Sequence, residues 1–338
     1  MPLSRRALLA AASLLASVSL LASSRTATAG EAASVLVAGP DGGRMAEWLL
    51  RLSPGLLAGI GAGSGGLTRQ TEGGADGVTG ANVFETRFTP AGTGLLLAPG
   101  EAARAWLAGD ARVHFDVARW LPVLSGVSTG ALVCRRSLAS AASRPWRVAM
   151  ASALEPAAAM LLGLELLGVP ADPVAGVVDP LRALATGQID AAFVPGVEAA
   201  AVAGALNAAA VFSFGQADAD DLASPDPLLA EVPSLGAQII ASGAANTVLL
   251  SAWRAAAAAS MLDFALVLQT LTAAPEVTVW RKAGQNAQTQ GVPAMPSGPT
   301  RLLAAPGCNA VMARIAADSP GLLAYRAWLT RRLGWRPG

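Results

Sequence analysis

Residues 34–52, SVLVAGPDGGRMAEWLLRL, constrain the fold more than any other stretch of the chain. Val35, Leu36, Val37 and Ala38 form an apolar run of the length of a buried strand. Gly39, Pro40, Asp41, Gly42 and Gly43 break it. Beyond the break, Met45, Trp48, Leu49 and Leu52 recur at spacings of three and four, the period of a helix with one apolar face. A strand, a glycine turn and a helix in that order leave backbone N–H groups and a helix N-terminus facing one spot, which is a natural seat for an anion.

The same alternation runs on. Residues 95–98 read as a second buried strand, closed by Pro99 and Gly100, with a small helix over 101–107. A short helix is expected over 82–88. Strand-like pieces follow at 121–127, 131–134 and 147–150. Residues 155–167 are strongly helical, with Pro156 tolerated in the first turn. Asp179 is placed to cap a helix that opens at Pro180. Strands at 189–194 and 209–214 flank a helix at 197–206. Residues 248–271 read as one helix, 284–299 as a loop rich in Gln, Asn, Pro and Gly, and Asp318 caps a last amphipathic helix ending near Leu333. Strands and helices alternating through short links predict an α/β fold with parallel sheets.

The first 29 residues read as a cleaved export signal: Arg5 and Arg6, an apolar stretch over 7–22, and small residues at Ala27 and Ala29. The paired arginines point to the twin-arginine route. The apolar run is short of the ~20 residues that a membrane span needs. Cleavage removes Arg5, Arg6 and Arg25, three of the 24 basic residues against 23 acidic ones, so the mature chain is slightly acidic. With no basic cluster there is no footprint for nucleic acid. An exported compartment permits a disulfide between Cys134 and Cys308, the alternative being two separate buried thiols. The 53% apolar content is ample for a core, and alanine supplies much of it, so close helix contacts are expected.

Catalytic chemistry leaves little trace. His114 is the only histidine, and no G-x-S-x-G elbow accompanies it. Gly61, Gly63 and Gly66 fit G-x-G-x-x-G but lack a clear strand before them and a clear helix after, so a nucleotide site is not expected. Asp218, Asp220 and Asp221 form an acidic cluster without a calcium-loop pattern, and it reads as a solvated loop. No metal or cofactor is expected, and a binding module fits the pattern better than an enzyme.

The order of these motifs resembles the Bug family, the periplasmic solute receptors of tripartite tricarboxylate transporters. The family's first glycine turn resembles residues 39–43, and its second glycine loop resembles residues 72–80. A P-D-G-Y-T-L-L turn and strand is similar to residues 90–96, and F-x-P-V-x-x-V to residues 120–127. G-Q-V-D has its counterpart in Gly187, Gln188, Ile189 and Asp190, and L-P-D-V-P-T in residues 229–234. The resemblance implies a type II periplasmic-binding-protein fold, two α/β lobes with a cleft and a hinge. Lobe 1 would comprise 30–138 plus 245–338 and lobe 2 residues 139–244, with crossovers near 135–145 and 236–247.

By the same resemblance, the first-lobe loops would hold a ligand carboxylate through Pro40, Asp41, Gly42 and Gly43 and through Gly74, Ala75, Asp76 and Gly77. The second lobe would add Ser152, Ala153 and Gly176. Its loop at 149–153 keeps only Ser152 of the family's polar groups, and residues 285–317 read as an insertion. The implied role is a monomeric periplasmic receptor that hands a small organic anion, a carboxylate, to membrane permease subunits. A receptor serving a sensor, one that has lost its ligand, and an exported hydrolase are the alternatives.

Overall fold

The computed structural model describes residues 32–61, 66–90, 92–244, 246–293, 295 and 298–337; the expected export signal lies outside them. The strands are β1 (Ala33–Ala38), β2 (Leu67–Glu72), β3 (Gly94–Pro99), β4 (Leu121–Ser128), β5 (Gly130–Cys134), β6 (Trp146–Met150), β7 (Ala171–Ala175), β8 (Ala191–Pro195), β9 (Ala209–Ser213), β10 (Leu262–Leu268) and β11 (Thr300–Ala304). The helices are α1 (Arg44–Ile60), α2 (Val78–Thr86), α3 (Gly100–Ala108), α4 (Pro156–Leu166), α5 (Pro180–Ala185), α6 (Ala199–Ala205), α7 (Leu235–Ala241), α8 (Thr247–Met261), α9 (Ala274–Gln290), α10 (Gly307–Ile315) and α11 (Ser319–Leu333).

Two sheets result, ordered β11-β4-β10-β3-β1-β2 and β7-β6-β8-β5-β9. They share a plan. Each has a parallel trio, β2-β1-β3 or β7-β6-β8, followed by an antiparallel strand that is the first to arrive from the other sheet, β10 or β5. This is the two-lobed type II arrangement that the motif order implied.

The unbroken apolar runs in the sequence have their reason here. Along β1, Leu36 and Ala38 enter one core cluster while Val35 and Val37 enter another on the opposite face. β3 divides in the same way. Strands covered on both faces have no polar side to alternate with. Helix α1 lies against α9 with little between the backbones: a Cβ on Gly59 would sit 2.5 Å from Ala283 Cα. The expected reliance on close helix contacts is met at this crossing.

Several expectations about elements are corrected. Residues 248–271 are not one helix: α8 stops at Met261 and β10 begins at Leu262 in the middle of the first sheet. Periodicity cannot separate a buried helix from a buried strand when every position is apolar. Residues 284–290, expected in a loop, are the last two turns of α9, held by tertiary packing despite their polar composition. Residues 67–72, not read as a strand, form β2, an edge strand beside β1. The helix expected over 82–88 starts four residues earlier, at Val78. The expected lobe boundary at 138 lies past β5, which pairs within the second sheet, so the chain leaves the first sheet at Thr129 rather than within 135–145. The return lies between Ser213 and Leu262. It ends in α8, whose alanine run is fully buried between α4 of lobe 2 and α3, α10 and α11 of lobe 1.

Candidate functional site

A cavity of about 440 Å3 opens between the lobes. Its floor is the pair of crossovers lying side by side: Ser128, Thr129 and Gly130 on the outward path, Ser260, Met261 and Leu262 on the return. Val127 and Leu262 pair directly in the sheet, which fixes this juxtaposition. Three helices begin on the cavity wall: α1 with Arg44, α3 with Glu101 one residue past its start, and α4 with Pro156. None of the three has a side-chain cap; in α4 the first residue, Pro156, has no N–H and Ala158 N donates to Glu155 O, which leaves Ala157 N without an intrahelical acceptor.

The lobe 1 wall is a charge network around Asp263. This carboxylate is buried at the second position of β10. It accepts from the Arg44 guanidinium, from Trp48 Nε1 at 3.1 Å and from Thr300 Oγ1 at 3.2 Å. Arg44 and Trp48 are one helical turn apart on α1, so a single face delivers both donors. Trp48 also packs on Phe264, with ring centroids 4.7 Å apart. Burial raises the Asp263 carboxyl above its ordinary value, while the Arg44 charge pulls the other way. Arg44 turns its other nitrogen to Glu101 at 2.8 Å, and Glu101 also pairs with Arg104 at 3.2 Å. Arg104 in turn donates to the Leu154 carbonyl of lobe 2 at 2.8 Å, tying the lobes across the cavity.

The lobe 2 wall is of another kind. Met150, Val177, Pro180, Phe193, Pro195 and Phe214 line it. Phe193 and Phe214 stand 5.6 Å apart at 36°. Phe193 lies directly on the outward crossover, where a Cβ on Gly130 would come within 2.4 Å of its ring. One charge faces the cavity from this side, Glu155, whose carboxylate accepts from Ala151 N at 3.1 Å.

None of the residues carried over from the resemblance lines this cavity; they sit one layer behind it or beside it. Pro40, Asp41, Gly42 and Gly43 form the turn before Arg44, and Asp41 pairs with Arg69 of β2 at 2.8 Å. Gly74, Ala75, Asp76 and Gly77 form the turn from β2 to α2. There Asp76 accepts from Val78 N at 3.2 Å and pairs with Arg112 at 2.8 Å. Ser152 and Ala153 lie between the lining residues Ala151 and Glu155, and the Ser152 hydroxyl accepts from Leu154 N at 3.1 Å. Gly176 immediately precedes Val177. Three of the four turns therefore deliver a neighbour to the cavity, and the 74–77 turn delivers none.

Sequence reasoning missed Arg44, Glu101, Arg104, Thr129, Phe193, Phe214 and Asp263. Asp263 carried a usable signal: it is one acid inside an otherwise apolar run, and a buried charge demands partners. The two phenylalanines carried none, since Phe193 lies in β8 and Phe214 just past the end of β9, far apart in sequence. His114 is exposed and does not line the cavity. Asp218 and Asp221 are held by Arg301 at 2.6 Å and Arg254 at 2.9 Å. Among the described residues no group of acids, cysteines and histidines is arranged for a metal, and no helix is long and apolar enough to cross a membrane. Cys134 and Cys308 are both buried and unpaired.

Two α/β lobes around a ligand-sized cavity, with paired crossovers beneath it, define the class: a type II periplasmic-binding-protein fold. The particular likeness is to a TctC solute binding protein from Polaromonas, with a TM-score of 0.60 at 16% identity, covering 89% of this chain and 98% of that one. The periplasmic binding protein BugD is similar at 15% identity with a TM-score of 0.46, over 89% of this chain and 97% of that one. No protein-family model matches the sequence, and no curated protein does. The expected resemblance to the tripartite tricarboxylate receptors thus holds at the level of the fold.

Proposed function

We propose that this chain is an exported periplasmic solute receptor, not an enzyme. It closes on a small organic anion, a carboxylate, and delivers it to the permease subunits of a tripartite membrane transporter. One observation carries the reading: the cavity between the lobes is met by the uncapped N-termini of α1, α3 and α4. Helix starts attract negative charge without needing a free side-chain cation. The paired crossovers at Thr129 and at Met261–Leu262 are the natural hinge for closure, of the kind two-lobed receptors use. Arg104, reaching from α3 to the Leu154 carbonyl, is a contact that such a motion would make or break.

Thermal unfolding of the exported protein against carboxylates, amino acids and aromatic acids tests the reading. A ligand at about 100 times its Kd adds about 2.7 kcal/mol, which raises Tm by roughly 5–10 °C. A panel in which no organic anion moves Tm sinks the proposal.

A further inference from the structure

The two walls of the cavity ask for different ends of a ligand. Resting on the receptor reading above, we propose that the cleft selects a monoanion with an apolar body, of the class of aryl or branched-chain monocarboxylates, and rejects di- and tricarboxylates.

The charge balance argues against a polyanion. Arg44 and Arg104 face the cavity together with Glu101, Asp263 and Glu155. Both arginines are already engaged by carboxylates, at Asp263 and Glu101 for Arg44 and at Glu101 for Arg104. What remains for a ligand anion is the field of the helix starts, about half a charge at each, with Glu101 and Glu155 already standing at two of them. A second carboxylate on the same molecule would point across the cavity to lobe 2. Among the described residues no cation lines that wall, and Glu155 stands on it. An uncompensated like charge there works against binding.

The body of the ligand is set by Phe193, Phe214, Met150 and Val177. Two tilted rings with a flexible thioether and a branched side chain favour a flat or branched hydrocarbon, through burial and ring–edge contact. A short polar chain gains nothing from that surface.

An independent feature on the floor between the walls points to a ligand. Thr129 is 3% exposed, lines the cavity, and its hydroxyl finds no hydrogen-bond partner among the described residues. A buried hydroxyl without a partner is costly. A ligand oxygen placed at the junction of the polar and apolar walls would accept from it, which makes Thr129 a binding residue as well as the outward crossover.

Titration calorimetry on the protein purified after export of the full chain tests this, with phenylacetate, acetate, succinate, citrate and benzamide as probes. Phenylacetate should bind at least about tenfold tighter than succinate or citrate, with acetate and benzamide weaker than phenylacetate. Thr129→Val should weaken phenylacetate about five- to tenfold without lowering the Tm of the protein alone, since it removes a buried hydroxyl that has no partner among the described residues, and Thr129→Ser should restore binding. Succinate or citrate binding as tightly as phenylacetate overturns the monoanion class and leaves the receptor reading standing. Benzamide binding as tightly as phenylacetate overturns the anionic end. Unchanged affinity in Thr129→Val overturns the hydroxyl's role and assigns it to a second, small void that Thr129 lines together with Arg301 and Asp226. Silence from every acid overturns the receptor reading itself.

Discussion

Asp190 is the side chain whose loss should be felt most clearly outside the cleft. It stands just before β8, and its backbone already joins three segments: Asp190 N donates to Arg147 O of β6, and Arg135 N, past the end of β5, donates to Asp190 O. The carboxylate, 6% exposed, accepts from Arg147 N and Nε at 3.0 Å on one oxygen and from Arg144 Nη2 at 2.9 Å and Arg147 Nη2 at 3.2 Å on the other. Asp190→Asn keeps one acceptor oxygen and turns an amide donor toward guanidinium donors. Two charge-assisted bonds are lost, each worth about 1.5–3 kcal/mol when the partner is charged. Arg147 and Arg144 are 37% and 57% exposed, so water screens and partly replaces those bonds. Discounted by about half, the loss comes to about 2–3 kcal/mol, or roughly 4–10 °C in Tm. Urea unfolding at a series of pH values is the assay. Burial works to raise the Asp190 carboxyl, but the bonds from Arg147 and the charge of Arg144 outweigh it, and the net direction is down. A depressed carboxyl stabilises the fold above its unfolded pKa, about 3.9, and that stability fades as pH falls through the lower folded value. The gap between wild type and Asp190→Asn should therefore be flat from pH 7 to about pH 5 and shrink below about pH 4. A gap under about 0.5 kcal/mol at pH 7, or one that persists unchanged to pH 3, refutes the reasoning.

Two further expectations concern the cleft and the thiols. Asp263→Asn keeps acceptors for Trp48 and Thr300 but releases one side of Arg44, so phenylacetate affinity should rise about three- to tenfold by calorimetry; a fall in affinity would mean that Arg44 must be pinned to serve the site. Burial pushes both thiols up to about 11, Cys134 in β5 and Cys308 in α10. Ellman's reagent should find no fast-reacting thiol in the native protein at pH 8 and two after guanidinium unfolding; failure to recover two would mean a disulfide.

The fold was legible because its strands are long apolar runs separated by glycine and proline, and the G-Q-I-D segment at 187–190 marked a helix-to-strand junction. Asp190 gives that motif a structural cause, since its carboxylate gathers the arginines at the end of β6. Legibility failed where tertiary packing overrode composition. β10 reads as a continuation of α8 because Ala255–Ala259 and Leu262–Leu268 are both buried on every side. The cleft was less legible still. Arg44, Glu101, Thr129, Phe193 and Asp263 come from five separated segments, and only the return of β10 to the first sheet brings the last of them to the first.

One of the glycine turns expected at the ligand also has a packing task. Gly77, at φ +72°, is pressed so close to Pro99 that a Cβ would meet the ring at 2.4 Å. That contact lets α2 close over the end of β3. Pro99 is followed by Gly100, the first residue of α3, where a Cβ would fall 1.8 Å from the Leu262 carbonyl oxygen. A side chain at either position would push α3 away from the return crossover and move Glu101 and Arg104 off Arg44 and the Leu154 carbonyl. Gly77 and Gly100 therefore act as spacers behind the cleft: by having no side chains they bring the start of α3 against the return crossover, and Glu101 and Arg104 to the cavity wall.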